Sequence, residues 1–405
     1  MDPNSLPLAS KNLPSRRDQI SGPTCHSPNQ SRNISTTTSN SQHATTPLIL
    51  SSPARTSPLI RQLLSLPARA RGAGRRAASA AVDPMTGSPA DPPERPRPRL
   101  TVLPLVALIF YDVSGGPFGI EDSVRAGGGA LLPVLGFLAL PALWSLPEAL
   151  VTAELASAFP TNAGYVAWVS AAFGPAAAFL VGVTKWASGT LDNALYPVLF
   201  LDYLRAGGAL ALAPPARSLA VLALTAALTY LNYRGLHLVG LSALALTAFS
   251  LSPFVALTVL AAPKIRPARW LAIDAGAVDL RGYFNSMFWN LNFWDKASTL
   301  AGEVEEPRKT FPKAVFGAVG LVVGAYLIPL LAGTGALPSE SAAEWTDGFF
   351  SEVGQRIGGP WLRVWIQAAA AMSNMGLFEA EMSGDSFQLL GMAEMGMIPA
   401  IFARR

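Results

Sequence analysis

Three carboxylates surround a glycine- and proline-rich stretch, YDVSGGPFGIED, at positions 111–122. They are Asp112, Glu121 and Asp122, and the stretch lies inside an apolar run that begins near Leu100. An acidic side chain within a membrane is costly and is by default a candidate for function. Carboxylates attract cations, so this stretch predicts a site for a cationic molecule. Asp122 has a second reading, because an acid at the start of a helix is also stabilised by the helix dipole.

A second group of residues, WNLNFWD, ends at Asp295 and combines aromatic rings with polar side chains. A tryptophan face attracts an ammonium group by on the order of 1 to 2 kcal/mol when the pair is desolvated. We therefore expect Trp289 and Asn292 to line the same site and Asp295 to act as a ligand or as a gate. Asp295 has an alternative role, since Lys185 or Lys296 could neutralise it.

The remaining candidates fall into two classes by the role expected of them. Small residues of the first stretch and one acid further along the chain are expected to bind substrate: Ser114, Gly115, Gly116 and Glu381. Acids in other apolar runs are expected to carry protons or to gate the path: Glu148, Glu154 and Asp192, together with Asp295. Asp192 has an alternative role as an indirect partner of Lys185. Because burial disfavours the charged form of a carboxylate, a buried acid can carry a proton, and we expect protons to be the coupling ion.

The composition excludes several classes of protein. Half of the 405 residues are hydrophobic and 14% are charged, whereas an average soluble domain is about a quarter charged. One cysteine and three histidines leave no disulfide framework and no cysteine or histidine metal cluster. The sequence also shows no paired nucleophile and base and no phosphate-binding glycine loop. We therefore expect a membrane protein that is not an enzyme and that uses no metal or cofactor.

Membrane-spanning helices must position the candidate residues, because long apolar runs fill the chain from Leu100 onward. Glycine and proline both disfavour the interior of a helix, so Gly115, Gly116, Gly119 and Pro117 predict a break in the first span. A broken helix is tolerated in a bilayer only where protein or a water-filled cavity satisfies the freed backbone groups. The break therefore predicts a cavity at this position.

Eight spans are predicted, each near the roughly 20 residues that cross the hydrocarbon region. They cover about 100–126, 130–157, 175–203, 217–232, 238–262, 283–303, 313–335 and 360–383. Polar residues interrupt the sixth span: Asn285, Asn290, Asn292 and Asp295. Matching broken helices five spans apart indicate a five-plus-five inverted repeat with one site near the midplane. Residues 263–281 and 336–359 are expected to be polar loops, and the residues after 383 a connection.

Residues 1–98 differ in composition from the rest of the chain. They are rich in Ser, Thr, Pro and Arg, and the first 99 residues carry a net charge of +8 against −4 for the remainder. Such a segment buries too little apolar surface to offset the entropy of ordering, so we expect a disordered basic arm, followed by a transporter domain over 99–405. A transit peptide and a true start at Met85 are alternatives for the arm. Basic residues lie on both sides of the spans, with an excess that places the N-terminus in the cytoplasm.

Five segments together resemble one family of proteins. They are SGGPFGIEDSV, LVTAELASAFP, KWASGTLDNALYPVLFLDYL, WNLNFWDKASTLAGEVEEPRKTFPKA and EMSGDSFQLLGMAEMGMIP, spread over about 100–405. The chain resembles the plant polyamine uptake transporters, in the L-type amino acid transporter branch of the amino acid–polyamine–organocation superfamily. The resemblance implies an all-α, LeuT-like inverted-repeat fold. It also implies proton-coupled uptake of putrescine, spermidine and spermine, with paraquat carried by related members, and it gives Trp289 and Asp295 the roles of substrate-facing tryptophan and gating acid.

The acidic residues favour a polyamine over an amino acid as substrate. A polyamine carries two or more ammonium groups separated by methylene stems, so it needs carboxylates at both ends and an apolar wall between them. An amino acid carrier instead uses free N–H groups at the first break to hold the substrate carboxylate. Here Pro117 removes one such donor, and Glu121 and Asp122 repel a carboxylate. A cationic amino acid exchanger stays open as an alternative.

The resemblance also sets expectations for the whole protein. The family has twelve spans, so a chain with eight is expected to be truncated. A truncated membrane protein without transport activity is therefore a second alternative to a polyamine transporter. We expect a multi-pass integral membrane protein of the plasma membrane, with an endomembrane or the chloroplast envelope as alternatives. Its expected partners are a small cationic substrate, protons and the lipid bilayer, with no nucleic acid, and the sequence does not set an oligomeric state.

Overall fold

The computed structural model describes residues 100–206, 208 and 212–404, and every regular element in this part of the chain is a helix. Within these ranges twelve α-helices follow in order: α1 Val102–Val113, α2 Glu121–Ala126, α3 Leu131–Leu140, α4 Leu146–Ala158, α5 Tyr165–Phe173, α6 Pro175–Ala206, α7 Pro214–Arg234, α8 Leu236–Ala261, α9 Leu280–Leu291, α10 Pro307–Ala336, α11 Phe349–Gly358 and α12 Pro360–Glu394. A π-helical turn, Pro141–Ser145, joins α3 to α4. The 3₁₀ helices include Ala262–Lys264, Pro267–Leu271, Ala275–Ala277, Lys296–Glu303, Ser339–Glu344 and Ala400–Ala403. The predicted all-α class is confirmed, while the predicted arm at 1–98 lies outside the described residues.

The first span is broken where the sequence predicts it. Helices α1 and α2 are its two halves, and residues 114–120 separate them. Gly115, Gly116 and Gly119 have φ angles of 69°, 117° and 88°, which glycine adopts without the steric cost that other residues would meet. The glycines thus let the chain leave one half-helix and enter the next within a few residues.

The second broken span lies at α9, which ends at Leu291 and is separated from the following 3₁₀ helix by residues 292–295. Phe293 has a φ angle of 73°, which is uncommon for a residue other than glycine. The Trp294 indole N–H and the Ser145 hydroxyl both donate to the Leu291 carbonyl, each at 2.9 Å. These donors satisfy a carbonyl that the end of the helix leaves free, as a break inside a membrane requires.

The two broken spans lie side by side and run in opposite directions. At one end, the Leu100 N–H donates to the Glu303 carbonyl at 3.1 Å, and the Glu305 N–H donates to the Leu100 carbonyl at 3.0 Å. This isolated bridge joins the start of α1 to the end of the second broken span. At the other end, α2 packs against α9. The antiparallel arrangement is the one expected of an inverted repeat.

Helix α12 packs along α6 and α8 and also contacts α1. On the other side of the bundle, α10 packs against α1, α4 and α8. The larger hydrophobic core of the described residues includes buried side chains of α1, α4, α8, α10, α11 and α12. The pair of breaks therefore sits against α12, with packed helices on both sides.

Three helical stretches within the described residues are long and apolar enough to cross a membrane by length and composition: Leu131–Ala158, Leu236–Lys264 and Pro307–Ala336. The apolar half-helix α1 is shorter, because the first break ends it. Helices α6 and α12 have sufficient length but carry charged residues such as Lys185, Asp192 and Glu381. Composition alone does not identify these two helices as membrane spans, because they carry polar side chains of the site described below.

Two sequence expectations for the second half of the chain are wrong. Residues 336–359, predicted as a loop, contain α11, whose buried face consists of Phe349, Phe350, Val353, Gly354 and Ile357. Helix α12, predicted to end near residue 383, continues to Glu394. Gly391 lies inside this extension, where a Cβ would clash with the backbone of residues 162–163. Glycine here allows close packing and does not end the helix.

Candidate substrate site

A cavity of about 790 Å³ lies between the two breaks. Its wall is formed by α1, α2, α6, α9 and α12 together with residues of both breaks. The volume falls within the range of about 300 to 1,000 Å³ that is typical of small-molecule sites. A cavity between two broken helices is also where secondary transporters hold their substrates.

Acidic side chains outnumber basic ones in this wall. Seven carboxylates line it: Asp112, Asp122, Asp192, Asp279, Asp295, Asp347 and Glu381. Three basic side chains line it: Arg125, Lys185 and Lys296. With all of them ionised, the wall carries a net charge of −4, and a cleft with a charge of one sign concentrates ligands of the opposite sign.

In the described part of the chain, Asp112 is the carboxylate of this wall with a buried oxygen that lacks a hydrogen-bond partner. It lies near the end of α1 and is 9% exposed. Its Oδ1 has no hydrogen-bond partner among the described residues, and none of the ion pairs in this part of the chain includes it. A buried carboxylate without a partner carries a large desolvation cost. An ammonium group would supply both the opposite charge and up to three hydrogen-bond donors.

Lys185 on α6 forms an ion pair with Asp295 in the second break. The same ammonium lies 4.3 Å from the centre of the Tyr165 ring, within reach of a cation–π interaction. The Tyr165 hydroxyl in turn donates to Gln388 on α12. These contacts connect α5, α6, the second break and α12 beside the cavity.

Lys296 follows directly after the second break and pairs with two acids of α12. Its ammonium contacts Glu381 and lies 3.2 Å from Asp385, which is one helical turn further on. The Tyr196 hydroxyl of α6 donates to Glu381 at 3.2 Å. Internal ammonium groups thus already neutralise Asp295 and Glu381, and Asp112 is more available to a cationic ligand than either of them.

Four backbone N–H groups of the first break donate to acceptors of the break and of its flanking half-helices. Those of Ser114 and Gly115 donate to the Phe110 carbonyl at 2.8 and 3.1 Å, that of Gly116 to the Ser114 hydroxyl at 3.1 Å and that of Gly119 to the Glu121 carboxylate at 2.7 Å. Pro117 has no N–H to offer. A carboxylate on a substrate would therefore find these donors already engaged.

Eight of the residues predicted from the sequence line the cavity: Asp112, Ser114, Gly115, Asp122, Asp192, Trp289, Asp295 and Glu381. Trp289 is 66% exposed and its ring lies 6.1 Å from that of Phe293, edge to face. Asp122 pairs with Arg125 at 2.7 Å in an exposed position. The functional role of each of these residues stays a prediction.

Five predicted residues lie outside the cavity wall: Gly116, Glu121, Asn292, Glu148 and Glu154. Gly116 turns the first break, and Asn292 follows the last residue of α9. Glu121 is fully buried and lines a second, smaller cavity. Glu148 and Glu154 both lie on α4, the first with a buried oxygen that lacks a partner and the second exposed. Their predicted roles in gating or proton transfer also stay predictions.

The sequence reasoning missed Tyr196, Ser373 and Asp385. The Ser373 hydroxyl donates to the Gly115 carbonyl and so holds the first break against α12. Tyr196 and Asp385 complete the contacts around Glu381 and Lys296. Polar side chains within a span are candidates for function by default, and applying that rule to every polar residue of α6 and α12 would have included all three.

A helical bundle with two antiparallel broken spans and an acidic cavity between them is the architecture in which secondary transporters hold their substrates. The long apolar helices identify an integral membrane protein. The family model for amino acid permeases matches residues 100–405. The chain belongs to this family.

The chain is similar to several plant transporters. It is 66% identical to a probable polyamine transporter of Arabidopsis thaliana, over 77% of this chain and 65% of that relative. It is 59% identical to polyamine transporter PUT1 of Oryza sativa subsp. japonica, over 76% of this chain and 57% of that relative. It is 56% identical to polyamine transporter RMV1 of Arabidopsis thaliana, over 79% of this chain and 66% of that relative. The resemblance predicted from the sequence is confirmed, and the chain spans less than two thirds of the length of these relatives.

Among solved structures, the crystal structure of MhsT in complex with L-phenylalanine is similar to this chain. The TM-score is 0.54 at 16% sequence identity, and the likeness covers 74% of this chain and 76% of that chain. At this identity the likeness concerns the fold alone. Together with the family match, it confirms the predicted LeuT-like fold.

Proposed function

We propose that this chain transports polyamines such as putrescine, spermidine and spermine, with paraquat as a further dication, by proton symport and alternating access. The observation that carries the proposal is the acidic cavity between the two breaks, with Asp112 buried in its wall and free of a protein partner. The names of the plant relatives point to the same class of substrate. One ammonium group of the substrate binds Asp112, and the rest of the molecule extends along the cavity.

The wall between the acids suits the methylene stems of a polyamine. Trp289, Phe293 and Phe118 bring aromatic surface to the cavity, and Leu195 and Leu377 bring aliphatic surface. Aromatic faces attract ammonium groups, and apolar side chains cover the uncharged stems. A cavity that combines acids with apolar surface therefore matches a chain of amines better than a single compact cation.

The hydrogen bonds within the first break disfavour an amino acid as substrate. An amino acid needs N–H donors for its carboxylate. The N–H groups of Gly116 and Gly119 already donate to Ser114 and Glu121. The Glu121 carboxylate lies next to these groups and would repel a second carboxylate. A substrate without a carboxylate avoids both penalties.

Coupling to protons follows from the burial of acids. A carboxylate held in a membrane interior is cheaper as the neutral acid when no cation is present. Asp112 binds the ammonium group as a carboxylate, while Glu148, which has a buried oxygen without a partner among the described residues, takes up a proton that moves in the same direction as the substrate. In this mechanism the ion pair between Lys185 and Asp295 gates the path beside the second break. We place the protein in the plasma membrane with its N-terminus in the cytoplasm.

Uptake of radiolabelled spermidine by yeast that lacks polyamine transport tests the proposal. We expect saturable uptake that excess spermidine inhibits, that arginine does not inhibit, and that stops when a protonophore collapses the pH gradient. Equal inhibition by arginine would indicate a cationic amino acid carrier. Uptake that survives the protonophore would refute proton coupling, and no uptake by protein shown to be in the membrane would refute transport by this chain.

A further inference from the structure

A second cavity, of about 350 Å³, adjoins the central one. The two cavities share five wall residues: Phe118, Leu199, Tyr203, Asp347 and Ala370. The second cavity lies at the end of the bundle formed by α2, α11 and the start of α12, as its lining residues Glu121, Phe350 and Arg363 show. Of the residues predicted from the sequence to bind substrate, Glu121 lines this second cavity.

Three carboxylates line this second cavity, and their partners differ. Asp202 pairs with Arg217 at 2.8 and 3.0 Å, so its charge is already neutralised. Glu121 accepts the Gly119 N–H at 2.7 Å and lies 3.5 Å from the Phe350 N–H. Asp347 accepts the Tyr203 hydroxyl at 3.0 Å, and within the described residues it has no cationic partner.

One basic side chain, Arg363, also lines the second cavity and is exposed. It forms no ion pair with Glu121 or Asp347 among the described residues. When Glu121 and Asp347 are both ionised, the acids of the wall without a basic partner outnumber Arg363, and the local charge then favours a cation over an anion.

An independent feature of the second cavity points to a missing hydrogen-bond donor. Gln367 lines the cavity, is 8% exposed, and its Oε1 has no hydrogen-bond partner among the described residues. A buried acceptor left without a donor is unfavourable, and buried polar groups are normally satisfied by protein, water or ligand. An ammonium group is a donor with three N–H bonds and no acceptor, so it suits both an amide oxygen and a carboxylate.

Aromatic side chains contribute to the wall that the two cavities share. Phe118, in the first break, lies with its ring 6.4 Å from that of Tyr203 and 5.3 Å from that of Phe254. Phe254 continues the aromatic contact to Phe350 at 5.5 Å. Aromatic side chains next to a passage between two acidic sites provide the surface that a methylene stem would cover.

We propose that the second cavity binds an ammonium group of the same polyamine whose first ammonium group lies at Asp112. The proposal rests on polyamine transport as the proposed function and adds the class of polyamine that the site selects. A diamine such as putrescine occupies the central cavity alone. A longer polyamine with three or four amines passes Phe118 and places a further amine near Gln367 and Asp347, so the chain prefers spermidine and spermine.

Kinetics of two substitutions at Gln367 test this selectivity in the full chain, reconstituted in proteoliposomes. Gln367→Leu keeps a side chain of similar size but removes the amide, and Gln367→Glu adds a charge that attracts an amine. Loss of a hydrogen bond to a charged group weakens a binding equilibrium by about tenfold or more. We therefore expect the ratio of the KM for spermine to the KM for putrescine to rise about tenfold in Gln367→Leu. In Gln367→Glu the same ratio is expected to fall.

The matched control is Glu352→Gln, on α11 but outside both cavities and paired with Arg356 at 3.0 Å. It removes an acid from the same end of the bundle, and we expect it to leave the ratio of KM values unchanged. An unchanged ratio in both Gln367 variants, or a change of the same size in Glu352→Gln, overturns the proposal.

Two further results separate the remaining explanations. In the first, native protein transports putrescine and spermine, and added spermine or sodium stimulates putrescine uptake. If Gln367→Leu abolishes that stimulation, a separate cation occupies the second cavity, and the proposal that one polyamine reaches both cavities is wrong. If native protein transports no polyamine, the proposed function itself fails. Selectivity is thus measured only in protein for which polyamine uptake has been demonstrated.

Discussion

Lys185 and Asp295 form an ion pair that joins the middle of α6 to the second break. The side chains are 41% and 23% exposed, so both face the cavity and neither is sealed in the protein interior. The Lys185 ammonium also contacts the Tyr165 ring. One lysine thus holds three elements together at the place where a substrate must pass if the bundle alternates between two open states.

Substitutions of this pair should show strong coupling in uptake. Asp295→Asn leaves Lys185 without its acid, and Lys185→Gln leaves Asp295 without its base, so each single change should lower the initial rate of spermidine uptake several-fold. Removal of both charges leaves neither charge unpaired. The fold-reduction in the uptake rate of the double variant should therefore be smaller than the product of the two single fold-reductions. Initial rates in the four proteins, at equal amounts in the membrane, form the cycle. Independent effects would show that the ion pair has no role in transport.

Asp112 and Asp122 both line the cavity, but their surroundings predict different effects on substrate affinity. Asp112 is buried and has an oxygen without a partner, whereas Asp122 is exposed and already pairs with Arg125. If Asp112 binds an ammonium group, Asp112→Asn should raise the KM for spermidine by about tenfold or more, as expected for loss of a hydrogen bond between charged groups. Asp122→Asn should change it much less. A larger effect at Asp122 would move the ammonium site to α2.

The positions of the broken helices could be predicted from the sequence because their causes are local. Gly115, Gly116 and Gly119 act through the backbone angles of their own residues. The polar residues that interrupt the sixth span act within a few positions of one another. The fold class follows from such local signals together with the length of the apolar runs.

Pairings between distant residues could not be predicted in the same way. Lys185 has both Asp192 and Asp295 as sequence candidates, and only the packing of α6 against the second break selects Asp295. Likewise, Lys296 pairs with Glu381 and Asp385, which lie far away in sequence. The sequence shows that these charges are present in spans but not which of them remain free for a ligand.

In the segment that contains α11, composition and periodicity predict different structures. The segment 336–359 is polar and acidic, which favours a loop, yet its apolar residues recur at the helical spacing from Phe349 to Ile357. Composition and periodicity disagreed there. The periodicity was the better guide because the buried face of the helix packs on α12.

Lys296 should be important for stability as well as for the cavity. Its side chain is 14% exposed, and those of Glu381 and Asp385 are 13% and 9% exposed. Lys296→Gln leaves two nearby buried acids without a base, and breaking a buried pair in this way costs about 3 to 5 kcal/mol. We expect a large fall in the midpoint of thermal unfolding in detergent.

The double variant Lys296→Gln with Asp385→Asn provides the control, because it removes one of the two acids together with the base. Part of the lost thermal stability should return. If the double variant is less stable than Lys296→Gln alone, the contact between Lys296 and Asp385 is not the source of the stability.

Two glycines within helices should respond to alanine in opposite ways. A Cβ at Gly391, in α12, would clash with the backbone of residues 162–163, which cannot move aside as a flexible side chain can. Overpacking of this kind costs about 1 to 3 kcal/mol, so Gly391→Ala should lower the midpoint of thermal unfolding.

At Gly320, in α10, a Cβ would meet no atom within 4 Å. There alanine is favoured over glycine by about 0.5 to 1 kcal/mol within a helix, and Gly320→Ala should raise the midpoint or leave it unchanged. Thermal unfolding of both variants in the same detergent is the measurement, and a fall of equal size in both would mean that α12 does not pack closely on the segment before α5.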